Sequence, residues 1–174
     1  MLKIILVAVV MLLAAILIYA TTRPDTLHVE RAIDIKASPE KIFALINDFK
    51  QWDAWTPYNK DPAMKKTYSA NASGKGAQYA WEGNKEVGRG EITITDTTPP
   101  REIVLALHMI QPFEGHNHVV FSLDAKGDTT TVTWTLEDKH TYFMKVMSLF
   151  LNLDKMIGGD FEMGLAKLKT VAEK

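Results

Sequence analysis

Three histidines, His108, His116 and His118, are the first residues with chemical potential. A His-x-His strand beside another imidazole is a pattern that binds zinc. Two ionisable groups stand in apolar company. Arg31 shares a strand face with Val29 and Ile33, from which it either snorkels to a rim or offers a cation to an acidic head group. Asp154 falls on an apolar helical stripe, four residues after Phe150 and three before Ile157. Buried there, it would be a base of raised pKa; turned to the edge, it would meet lysine or water. The chain has no cysteine, which excludes disulfides, thiol catalysis and zinc–thiolate centres. No nucleophile–base pair is evident. No catalytic residue and no cofactor is therefore expected.

A second cluster is aromatic. The stretch FKQWDAWTPY, residues 49–58, is dense in rings. Trp52, Trp55 and Tyr58 either plug one end of a core or wall a binding site.

These groups must be held by elements, and the pattern supplies them. Residues 27–36 alternate, with Leu27, Val29, Ile33 and Ile35 on one face of a half-buried strand. Ser38-Pro39 then reads as an N-cap with proline at the first helical position. Ile42, Phe43, Leu45, Ile46 and Phe49 follow at helical spacing. Six strand-like segments come next, near 65–70, 77–82, 87–96, 101–110, 115–124 and 129–136, and then one long helix over 142–172. Strand, short helices, antiparallel strands and C-terminal helix make an α+β order.

Register places the side chains. A turn at Asn84-Lys85 would set Trp81 opposite Gly88 and Tyr79 opposite Gly90. A turn at Gln111-Pro112-Phe113 sets Leu107 opposite Asn117, Leu105 opposite Val119 and Ile103 opposite Phe121. A turn at Lys126-Gly127 would pair Phe121 with Val132 and Val119 with Trp134. The three hairpins share one continuous apolar face, more than a single helix can fill, so a cavity is expected beneath it. His108 and His116 then pair on the opposite face, as solvent-facing imidazoles without a metal. Asn117 lands among the apolar residues, either tying down backbone or orienting a ligand.

The N-terminal 19 residues between Lys3 and Arg23 carry no charge. As a helix they would span roughly 28 Å, close to a bilayer's hydrocarbon core. A retained signal anchor, a cleaved signal peptide and a buried soluble helix are the three readings. Ile18, where a small residue is wanted before cleavage after Ala20, favours the anchor. Lys3 favours a cytoplasmic N-terminus with the domain outside, in a periplasm or at the cell exterior. The division is then an anchor over 1–22, a linker over 23–26 and one domain over 27–174. At a net charge of −1, with no basic run, nucleic acid is not an expected partner.

The strand leading into ASPEKIFALINDF, the WDAWTPY turn, GKGAQYAWEGNKEVGRGEITI, TTTVTW and MIGGDFEMGLAKLK together resemble the START-like, helix-grip (SRPBCC) superfamily. The likeness is to its bacterial polyketide cyclase/dehydrase-and-lipid-transport type, over about residues 27–172. It implies a curved antiparallel sheet of about seven strands around the C-terminal helix, with a deep apolar cavity between them. It carries over no catalytic residue. The expected lining is Trp55, Tyr58, Tyr79, Trp81, Leu105, Leu107, Asn117, Val119, Phe121, Trp134, Met147 and Phe150, with Arg31 and Asp154 as possible polar groups. The expected role is a membrane-tethered binder of a hydrophobic or amphipathic small molecule or lipid. Its rivals are a cyclase- or dehydratase-type enzyme and an interaction module with a filled core. The stretch YFMKVMSLFLNL, apolar around most of its circumference, is either covered by loops or touches the membrane.

Overall fold

A computed structural model of the chain describes residues 1–139 and 141–174. The apolar N-terminal run forms helix α1, Leu2–Ala20, most of whose side chains are exposed, Ala20 at its end being buried. It is one helix long and apolar enough to cross a membrane.

Strand β1, Thr26–Ile35, leads into helix α2, Pro39–Asn47. Ser38 caps that helix, its hydroxyl accepting from the Lys41 amide at 3.4 Å, with Pro39 in the first turn as the sequence predicts. A 3₁₀ helix, Phe49–Ala54, follows. Here the aromatic run has a local task. The indole of Trp52 donates to the Ile46 carbonyl at 2.8 Å and that of Trp55 to Leu45 at 3.1 Å. These carbonyls belong to the last turn of α2, which has no intrahelical donors left for them. Both rings then turn inward and are buried.

The remaining strands are β2 (Lys65–Tyr68), β3 (Gln78–Glu82), β4 (Arg89–Thr98), β5 (Glu102–Gln111), β6 (Gly115–Lys126) and β7 (Thr129–Lys139). They form one antiparallel sheet of seven strands in the order β1-β7-β6-β5-β4-β3-β2. The β5–β6 register is the predicted one, with Leu107 opposite Asn117 and Ile103 opposite Phe121. Two other registers differ. Trp81 faces Gly90 and Tyr79 faces Ile92, while Phe121 faces Trp134 and Val119 faces Leu136. In each case the turn centres one residue later than the sequence reading places it. The β6–β7 turn is Gly127-Asp128, where Gly127 takes a positive φ of 66°. Moving a turn centre by one shifts partners by two, so every side chain keeps its face.

The expected single C-terminal helix is two helices. Helix α3, Tyr142–Met147, stops, and α4, Leu153–Ala172, begins after Asn152, whose side chain accepts from the Lys155 amide at 2.9 Å. Helix α4 lies against β1 and sends Phe161, Leu165 and Leu168 into the core. Gly158-Gly159 sits inside this helix without interrupting it. At Gly158 the missing side chain makes room for the guanidinium of Arg31, which a Cβ there would meet at 2.1 Å.

Candidate functional site

The core is closed at one end by rings. Trp55 meets Phe121 and Trp134 edge-on, with centroids 6.0 and 5.9 Å apart. Phe161 of α4 stacks flat on Trp134 at 4.0 Å, an approach that Gly164 permits, since a Cβ there would lie 2.9 Å from the Trp134 ring. Beyond this plug, toward the end of the sheet where β3 and β7 finish, α4 has only just begun. Ile157 is the first α4 residue to reach the space. Between it and the inner faces of β3 to β7 lies a cavity of about 300 Å³.

Tyr79, Trp81, Leu107, Val119, Trp134 and Leu136 supply its apolar walls. Alternation along each strand puts them there, since every second residue faces inward. Trp81 lies flat across Gly90, where a Cβ would meet its ring at 2.6 Å. The polar groups are few. Asn117 borders the cavity from β6. The Trp134 indole N–H is buried and unpartnered. Both phenols on the wall are held neutral. Desolvation raises the Tyr79 phenol well above its ordinary value, with Tyr68 and Asp53 adding. Desolvation first and the Asp160 carboxylate second raise that of Tyr58. At the rim Lys60 donates to Asp160 at 3.0 Å.

Of the expected lining, Tyr58, Tyr79, Trp81, Leu107, Asn117, Val119 and Trp134 border this space. Trp55, Leu105 and Phe121 do not; they are fully buried in the closed part of the core. Met147 and Phe150 fall in α3 and just beyond it, away from the cavity, because the helix breaks before it reaches the sheet. Arg31 and Asp154 are also elsewhere. Arg31 leaves the sheet edge, passes over Gly158 and pairs with Asp154 at 3.1 Å and Glu162 at 2.7 Å. The hydrogen bond from Arg31 lowers the Asp154 carboxyl, the reverse of a buried base. Sequence reasoning missed Lys60 and Asp160, which are far apart in the chain and carry no shared signal. Met109 was within reach, since it shares a face with Leu107.

On the opposite face His108 and His116 stack at 4.2 Å. With Glu114 they bring one ligand atom each within 4.8 Å of one another, the set among the described residues that could hold a cation. His108 is less solvent-facing than expected, and its Nε2 is buried without a hydrogen bond. Glu91 lies 3.4 Å from its other nitrogen.

Solved structures share this architecture at low identity. The Aha1 dimer from Colwellia psychrerythraea aligns with a TM-score of 0.62 at 19% identity, covering 84% of this chain and 96% of that one. A protein from Chromobacterium violaceum aligns at 0.61 and 11%, covering 87% and 99%. CalU16 from Micromonospora echinospora aligns at 0.54 and 14%, covering 83% of each. Identities this low establish the fold alone. No curated protein matches the sequence. A family model described as polyketide cyclase / dehydrase and lipid transport matches residues 26–173, and the chain accordingly belongs to that family.

Proposed function

We propose that the chain binds an apolar or amphipathic small molecule in the cavity between β3–β7 and α4, and that α1 tethers it to a membrane with the domain outside the cytoplasm. One observation carries the binding role. A space of about 300 Å³ is walled by rings and aliphatic side chains, yet it is bordered by the Asn117 amide and by a buried indole N–H with no protein partner, that of Trp134. Unpartnered donors in an apolar setting are costly unless a ligand or water satisfies them. The volume sits at the lower end of ligand-sized cavities, roughly 300–1,000 Å³. It suits a single alkyl chain or a small fused-ring molecule, with Asn117 orienting its polar end. Native mass spectrometry of the full chain, released from detergent after purification from cells, should show a co-purifying ligand. An empty protein that also leaves hydrophobic dyes dark in nanodiscs would defeat the reading.

A second reading is catalytic, of the cyclase or dehydratase type. It is favoured by the neutral phenols of Tyr58 and Tyr79 and by the Lys60–Asp160 pair, all bordering one cavity. A phenol kept protonated can donate to a substrate carbonyl. Turnover of a polyketide-like substrate that is lost in Tyr79→Phe, with binding retained, would establish it over simple carriage.

A further inference from the structure

We infer that the end of the domain bearing the cavity mouth lies in the headgroup zone of a bilayer, with Phe113 and Phe143 inserted, so that the cavity loads directly from the membrane. The loading clause rests on the proposed binding role; the docking clause does not.

Helix α1 gives the depth. The Thr21 amide turns to the Ile18 carbonyl at 3.1 Å, which leaves the Leu17 carbonyl without its usual helical donor. The Tyr142 hydroxyl of α3 donates to that carbonyl at 2.9 Å. Leu17 precedes the helix end at Ala20 by three residues, so the bond is made roughly 4.5 Å inside the end of the apolar helix. A tyrosine at that level is where membrane interfaces collect tyrosines. Lys145, one turn along α3, pairs with Asp25 beside the same helix end. Helix α3 is thus fastened at the level where α1 would leave the lipid.

Contacts run from α3 to the cavity. The rings of Phe143 and Phe113 meet at 5.7 Å, although each keeps more than half its surface open, at 52% and 59%. Phe113 tips the β5–β6 hairpin. Gly88, in the loop after β3, sits so close to that hairpin that a Cβ would strike the Gln111 carbonyl at 2.2 Å. The same loop brings Glu86 and Val87 to the cavity wall. The start of β1, the ends of β3, β5 and β7 and the start of α4 all gather at this end of the sheet. Phe150, in the turn between α3 and α4 beside Pro24 and Thr26, is also exposed, at 68%. Glu114 beside Phe113 limits the depth to the headgroups, because a carboxylate resists entering hydrocarbon.

The cysteine-free chain makes the test direct. Nitroxide labels are placed by Phe113→Cys, Phe143→Cys and, in the turn at the far end of the sheet, Asp128→Cys. The full chain is studied in phosphatidylcholine nanodiscs. Labels at 113 and 143 should collide preferentially with oxygen, which concentrates in lipid, and the label at 128 with an aqueous nickel chelate. Equal nickel access at all three positions overturns the docking. So does shielding of 113 and 143 from both reagents, the signature of a protein partner on the patch. For loading, dansyl-labelled undecanoic acid is delivered from vesicles. The Phe113→Ser/Phe143→Ser chain should fill severalfold more slowly, at unchanged final occupancy. Equal rates overturn membrane loading. No uptake by either chain defeats the binding role and the loading with it, while the labels still decide the docking.

Discussion

At the scale of single residues, one helical glycine does work that helix propensity alone would assign to alanine. Gly164 admits Pro57 and Trp134, each 2.9 Å from where its Cβ would be. Both are stiff ring systems, and Trp134 is also fixed by its stack on Phe161. Alanine gains about 1 kcal/mol in propensity, but overpacking against rigid rings costs about 1–3 kcal/mol. Gly164→Ala should therefore lower the denaturation midpoint of the chain in detergent, not raise it. Arg31 gives a prediction in pH. It holds the Asp154 carboxyl below its ordinary value of 3.8. The folded state thus binds that proton less readily than the unfolded chain does. The stabilisation is present above the ordinary carboxylate range and is lost as pH falls through the depressed value. Asp154→Asn should be the less stable protein near neutrality, and its midpoint should converge with the parent's in acid. A gap that persists in acid would show that Asp154 acts through something other than its charge.

At the scale of elements, legibility followed the turns. The β5–β6 register was readable because Pro112 and Phe113 mark one centre. The β6–β7 register was misplaced by two because Lys126-Gly127 and Gly127-Asp128 are equally good turns on paper, and a positive φ at Gly127 serves either one. Since that slip preserves the face, the inner wall survived it, and Tyr79, Leu107, Asn117 and Trp134 were visible from sequence. The helix break was not. The apolar stripe runs on through Phe150 at helical spacing, so periodicity gave no stop, and the signal that was overlooked is the cap at Asn152. Asn152→Ala should cost about 1 kcal/mol, measured by urea denaturation in detergent. A null effect would mean that packing of α4 alone sets where it starts. The partners of Arg31 lay beyond sequence reading for a different reason, since they depend on how α4 crosses β1, which no local pattern encodes.

For the whole molecule, the cavity is the feature on which the proposed binding role rests, and it can be filled on purpose. Leu107 borders it from a central strand and is only partly buried. Leu107→Trp would place an indole in the empty space, leaving the plug of Trp55, Phe121 and Trp134 undisturbed. Occupancy by dansyl-labelled undecanoic acid in nanodiscs should fall below detection while the far-ultraviolet circular dichroism stays that of the parent. Retained occupancy would move the binding site elsewhere. One of the sheet's two edge strands carries a further implication. Strand β2 is four residues long and reads KKTY. Chains confined to a plane meet one another far more often than chains in bulk water, and an unpaired strand is a template on which a neighbour can grow. On that side of the sheet a margin this brief, carrying two adjacent ammonium groups, gives an approaching copy little to zip onto, which suits the crowding that the proposed tether would impose.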